Sequence, residues 1–442
     1  MKHRPILLTL FVLLFLCLVG VLVGAAPARA STTITVSTTS DELNDDGQCS
    51  LREAIRAANL DTASGATPGE CPAGSGADTI EFAPNVTSTI TISPISPVLP
   101  TITDTLSIVG SKTITLAVYL ARTGYVFTFD GSGKVFSLSG LTITGLGSSS
   151  GGISMGSGSL TVDSARINEN KGSGGLFISP GGVVTVTNST IANNNASSGG
   201  GIQNLGTLTL KNSTISGNAT GFSGGGIYST SYAEIINSTI SGNSGGGFGG
   251  SGGGGIYNSG AFILVNSTVS GNQAPSNPNP SNSGGGIFNS GTLTITTSTI
   301  VSNTTSGLGG GLRAASGAAL LRNTIIANST AGNDCSLGSG TVTDGGFNIV
   351  EDNTCSFTGG TDPLLGSLQN NGGPTWTHAL LPGSPAIDAG DNATCTATDQ
   401  RGAVRPFDGD GNGNAVCDIG AYEYGAVIPN AWLYLPLVMR GP

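Results

Sequence analysis

The stretch GGGIQNLGTLTLKNSTISGN (199–218) returns as GGGIYSTSYAEIINSTISGN (224–243), as GGGIYNSGAFILVNSTVSGN (253–272) and as GGGIFNSGTLTITTSTIVSN (284–303). Weaker copies flank these at 151–170 and 309–328. Within 207–211, Leu208 and Leu210 alternate with Thr207, Thr209 and Lys211, the period of a half-buried strand. Ile202 and Ile215 mark two further short strands, and Gly-rich or Asn/Ser-rich segments separate them as turns require. Three short strands per unit of about 25 residues suit one coil of a parallel β-solenoid, in which stacked coils share an Ile/Leu/Val interior and pair backbones at about 4.8 Å per step. The expected fold is all-β, a right-handed parallel β-helix.

Each unit closes on an asparagine: Asn170, Asn194, Asn218, Asn243, Asn272, Asn303 and Asn328. Asn at one position of every coil is expected to stack into an amide ladder, and Asn tolerates left-handed corners. The N-S-T triplets read first as turn sequences and second as glycosylation acceptors. Leucine-rich, helical and calcium-binding nonapeptide repeats each lack their required residues here. Two units carry longer connections, SGGGFGGSG (244–252) and QAPSNPNPSNS (273–283). Insertions at equivalent positions of consecutive coils should emerge as one ridge, with Phe248, Pro275, Pro278 and Pro280 on it.

Upstream, the composition changes. CSLREAIRAAN (49–59) has no glycine, and Ser50 and Glu53 have capping-box spacing. Leu51, Ala54, Ile55 and Ala58 form an apolar stripe at helical spacing, with Arg52, Glu53 and Arg56 away from it and expected to face water. This is expected to be a lid over the first coil, placed before the strand-like DTIEFAP (78–84) and covering edges that would otherwise template aggregation.

The first thirty residues read as a signal peptide: Lys2, His3 and Arg4, then an apolar run from Ile6 to Gly24, then Ala28-Arg29-Ala30. The rival is a retained anchor, since the run can span a bilayer. Export fits the cysteines. Six follow the signal: Cys49, Cys71, Cys335, Cys355, Cys395 and Cys417. They allow fifteen pairings, of which the simplest joins 49–71, 335–355 and 395–417. With no C-x-x-C and one histidine after the signal, His378, zinc is disfavoured.

CSLREAIRAAN, preceded by DELNDDG and followed by DTIEF, resembles the CSLREA domain at the start of secreted bacterial β-helix proteins. The Gly/Asn units resemble polymorphic outer-membrane-protein repeats. GGPTWTHALLPGSPAIDAGDN (372–392), TDQRGAVRP (398–406) and CDIGAYEY (417–424) resemble the choice-of-anchor Q domain. The resemblance implies a right-handed parallel β-helix at the cell surface or outside the cell, and implies no defined activity. The division expected is a signal at 1–30, a cap at 31–77, a β-helix at 78–330, a disulfide-braced region at 331–424 and a tail at 425–442. The tail segment AWLYLPLVMRGP (431–442) reads as a final strand or frayed end, or as a sorting signal.

A net charge of −10 and a pI of about 4.5 make nucleic acid an improbable partner. Two functions compete: a non-catalytic surface protein that binds glycans or other surface components, and a carbohydrate-active enzyme. Glycoside hydrolysis needs two carboxyl groups, yet from Gly172 to Leu312 the only charged residues are Lys211 and Glu234. No catalytic residue is assigned. DGDGNGNAVCD (408–418) places oxygen donors at Asp408, Asp410, Asn412 and Asn414, with Asp418 beyond. Such alternation suits Ca²⁺, although Ile419 stands where an EF-hand loop would close on Glu; a solvated acidic turn is the alternative. Asp41, Asp45 and Asp46 form a second, weaker candidate.

Overall fold

The computed structural model describes residues 31–92, 99–118, 124–145, 149–246, 252–275, 283–358 and 360–429. The expected signal, Phe248, Pro278, Pro280 and the segment 431–442 lie outside the described residues. The described residues form a right-handed parallel β-helix of about 10 turns with one short helix. Among the described residues, sheet I has 12 strands, sheet II has 11, sheet III has 9 and a narrow sheet IV has 6.

One coil shows how the repeat is used. Ile202–Asn204 lies in sheet III, Thr207–Lys211 in sheet I, Thr214–Ser216 in sheet II and Ala219–Thr220 in sheet IV. The fourth edge is two residues long, too short for any alternation to show in the sequence. Ile202, Leu208, Leu210 and Ile215 point inward and are fully buried. Parallel register stacks like on like: Val162, Val186, Leu210, Ile235, Leu264, Ile295 and Leu321 form one interior column. One apolar cluster runs from Ile34 to Phe357.

The asparagine ladder is present from Asn170 to Asn303. Each Nδ2 donates to the next rung's Oδ1 at 2.9 Å, through Asn194, Asn218, Asn243 and Asn272. The same Oδ1 also accepts the backbone N–H of the rung before it, as Asn243 does from Asn218 at 2.9 Å. The glycine before each Ile follows from this. A Cβ on Gly226 would stand 2.7 Å from the Gly255 carbonyl oxygen and 3.1 Å from Asn243 Nδ2. Asn328 is not a rung. Ile326 pairs with Ile300, so Asn328 falls opposite Ser302, and both hold φ of 56°. Its N–H donates instead to Glu351 Oε2.

Four of the five N-S-T triplets form the corner between sheets I and II; the fifth, 328–330, follows the sheet II strand Ile325–Ala327. Asn188, Asn212, Asn237 and Asn266 all have φ near +50°, the left-handed conformation the turn requires. Their serines form a second buried ladder: the N–H groups of Ser189, Ser213 and Ser238 each donate to the next Ser Oγ at 3.0–3.1 Å.

The helix, Leu51–Leu60, has Ser50 as N-cap with the reciprocal Ser50–Glu53 capping box. Ile55 and Ala54 are fully buried in the common core. Two expectations change. A strand, Thr33–Val36, precedes the helix and pairs with Asp78–Phe82, so the helix is inserted between the first two strands of sheet I. Arg52 and Glu53 do not face water. Residues 37–48 fold over them: Asp41 takes Arg52 through Nε and Nη2, each at 2.7 Å, and Glu53 Oε1 accepts the Asn44 N–H. Arg56 alone of the three is exposed.

The disulfides join Cys49–Cys71, Cys335–Cys355 and Cys395–Cys417. Coils continue past residue 330, with strands Cys335–Leu337, Thr341–Asp344 and Ile349–Val350 completing a last turn. Repeat spelling fades there, but backbone pairing needs no particular side chain. Among the described residues no helix is long and apolar enough to cross a membrane.

Candidate functional site

The segment after Pro363 does not extend the coil axis. It folds back as a module along the outward face of sheet II. Thr239 Oγ1 donates to the Trp376 carbonyl at 2.6 Å, and Thr268 Oγ1 donates to Gln400 Oε1 at 2.6 Å. Asn266 Nδ2 reaches the Thr398 carbonyl, and the Ala421 N–H donates to Thr299 Oγ1. Ser270 Oγ lies 2.9 Å from His378 Nε2, whose Nδ1 lies 2.6 Å from the Gly366 carbonyl oxygen. Burial pushes the His378 imidazole below its ordinary 6.5. Ile325 and Ala327 close the contact against Ile419 and Ala386. Two outward columns printed by the repeat, one of Thr239, Thr268 and Thr299 and one of Ser241 and Ser270, are therefore the docking surface.

The module's own core is ionic. Asp399 is fully buried and takes Arg401 Nε at 2.8 Å. Arg405 Nε stands 3.0 Å from Glu423 Oε2, both side chains fully buried. Arg401 also lies 3.6 Å over the Tyr422 ring and donates to the Glu423 carbonyl. Asp418 accepts the N–H groups of Asp388 and Tyr424. Burial, reinforced by the neighbouring Glu423 charge, pushes the Asp418 carboxyl up to about 7. Burial likewise raises Glu423. These carboxyls are sealed from solvent and serve the fold, not an exposed acid–base pair.

The DGDGNGN loop hangs from this core. Asp408, Asp410 and Asp388 each present one carboxylate oxygen within 4.8 Å of the others. That span matches two Ca–O bonds of about 2.4 Å. Asp388 lies 20 residues upstream of Asp408, and no spacing rule joins the two in the sequence. Its Oδ atoms accept the Gly409 and Asp410 N–H groups, which sets the loop's position. Asn412 Nδ2 donates to Asp410 Oδ2, and its Oδ1 accepts the Asn414 N–H, so Asn412 ties the turn together. Asp418 is not brought into the group; it holds the Asp388 backbone from the buried side. At the other end, Asp41 pairs with Arg52, Asp45 accepts the Ala66 and Thr67 N–H groups, and Asp46 accepts that of Gln48. These three do not converge.

Other surfaces offer little chemistry. Tyr228, Tyr257 and Phe288 stack outside sheet III with centroids 4.9 and 5.5 Å apart and nearly parallel planes. Tyr228 and Phe288 cover the two faces of Tyr257, and Phe288 is itself buried. A cleft of about 470 Å³ beside Phe82, Val86, Val109 and Ile114 contains one ionisable residue, Glu81.

A family model described as a right-handed beta helix region matches residues 126–256. No curated protein matches. Among solved structures, the crystal structure of pectate lyase Pel9A is similar, with a TM-score of 0.54 and 16% identity over 89% of this chain and 97% of that one. Likeness at this identity speaks to the fold alone.

Proposed function

We propose that this chain is an exported, non-catalytic protein of the cell surface or surroundings that binds glycans or other surface components, with calcium bracing its C-terminal module. One observation supports this reading above the rest. The exposed coil faces carry ordered columns of uncharged hydroxyls and amides, whereas the densest ionisable cluster is buried inside the module. The end segments that resemble the CSLREA and choice-of-anchor Q domains agree with export. The pectate lyase likeness favours the alternative, a carbohydrate-active enzyme, only through a shared fold.

The test is a glycan array on the processed protein, run beside reducing-sugar and unsaturated-product assays on pectate and neutral polysaccharides. Saturable binding without turnover supports the proposal; turnover of any polymer overturns it. For the brace, Asp388, Asp408 and Asp410 would supply the carboxylates. Calcium should raise the melting temperature, and Asp408→Ala with Asp410→Ala should abolish the rise. A parent protein indifferent to calcium removes the brace.

A further inference from the structure

The module occupies only the later part of the outward face of sheet II. It takes Asn237, Thr239, Asn266, Thr268, Ser270 and Thr299 through hydrogen bonds. The register continues the same chemistry upstream: Thr239 pairs with Thr214, which pairs with Thr190, and Ser241 pairs with Ser216. Asn188 and Asn212 continue the corner amides. These earlier hydroxyls and amides are partly exposed.

Trp376 stands at the border. Its carbonyl is fixed by Thr239 Oγ1 and by Gln400 Nε2 at 3.1 Å. Thr375 is 2% exposed and Thr377 is 0% exposed, yet Trp376 is 55% exposed. A tryptophan held outward between two buried neighbours, on a pinned backbone, is an informative exposure, since the indole is the side chain that gains most from contact.

Building on the binding reading above, we propose that a neutral polysaccharide docks here. Its pyranose face stacks on Trp376, and its hydroxyls run along Thr214, Ser216 and Thr190 beside Asn212 and Asn188. The choice of a neutral polymer follows from charge. Lys211 and Glu234 belong to sheet I, so sheet II carries no charge in these coils; its upstream border is marked by Asp163, which accepts Asn188 Nδ2 at 2.8 Å, and by Arg166, opposite Thr190. Coils repeat at about 4.8 Å, so an extended glycan along the axis meets equivalent groups at each step. The surface is continuous with one that already binds hydroxyl- and amide-bearing groups within the molecule.

The chain holds two tryptophans, Trp376 and Trp432, so Trp432→Phe leaves one reporter. In that background, soluble xyloglucan, glucomannan and mixed-linkage β-glucan should be compared with polygalacturonate. Saturable change of Trp376 fluorescence with a neutral polymer is expected. Trp376→Ala should weaken binding at least tenfold without moving the melting temperature, and Thr214→Val should weaken it less. A folded Trp376→Ala that binds as the parent does overturns the site while leaving the binding reading intact. Preference for polygalacturonate overturns the neutral-ligand assignment. A parent that binds no glycan on the array removes the binding reading itself.

Discussion

From Gly172 to Leu312 the coils hold two charged side chains, Lys211 and Glu234. Between Asp399 and Glu423 the module buries five: Asp399, Arg401, Arg405, Asp418 and Glu423. Both regions must satisfy buried polar groups, and they do so differently because one is periodic. In a solenoid, the donor of each rung meets the acceptor of an identical rung one coil on, so a neutral amide such as Asn243 closes four hydrogen bonds with copies of its own surroundings. The module has no translation to exploit. Each of its irregular loops needs its own partner, and charged groups with several donors or acceptors tie several segments at once. Arg401 alone joins Asp399, Tyr422 and the Glu423 backbone.

The largest effect should come from removing one ion from that unrepeated network. Arg405→Met leaves Glu423 and Asp418 buried without their cation and should cost about 4 kcal/mol, enough to unfold the module. Calorimetry should then separate a low-temperature module transition from a retained coil transition. A single unshifted transition would show that the two regions do not differ in this way. The periodic counterpart is Asn243→Leu. It strands the Asn218 N–H and takes one partner each from Asn218 Nδ2 and the Ile215 carbonyl, while Asn272 Oδ1 keeps the backbone N–H of residue 243, at about 3 kcal/mol. Hydrogen exchange should quicken mainly in the adjoining coils, since a solenoid couples nearest neighbours.

A gain is expected where the repeat departs from itself. At the corner of sheets I and II, Asn212, Asn237 and Asn266 each donate Nδ2 to the previous rung, but the next rung is Thr297. Thr297 is held at φ 46°, unfavourable for a β-branched residue, and both its Oγ1 and Asn266 Oδ1 are buried without a partner. Thr297→Asn should supply the missing donor and relieve the backbone, stabilising by about 1–2 kcal/mol in chemical denaturation.

The smallest effect concerns the seam between the regions. His378 is buried with its imidazole pushed below 6.5, so the folded state prefers it neutral. Its contribution is therefore complete above 6.5 and is lost as pH falls below that value. The parent's melting temperature should drop relative to that of His378→Gln as pH is lowered from 7 to 5. Parallel curves would show that the seam is insensitive to this proton.

Much of this architecture was legible in order along the chain. Alternation at Leu208 and Leu210, the recurrence of G-G-I and N-S-T, and the Ser50–Glu53 spacing are local signals, and each fixes local geometry wherever it occurs. Repetition then converts local geometry into a fold, because identical coils have one efficient way to stack. The sequence also brought Asp408 and Asp410 to notice through their spacing within one loop. It could not supply Asp388, nor exclude Asp418, because which carboxylates converge depends on how the 388 and 408–418 segments hang from one buried core. It could not show that Asn328 leaves the ladder, since a one-residue shift in register is invisible until Ile300 and Ile326 pair. Nor could it show that the module lies along sheet II and leaves Trp376 outward at its border. Those are contacts between residues more than a hundred positions apart, and only the closed tertiary structure selects among the many surfaces that outward Thr and Ser columns could have met.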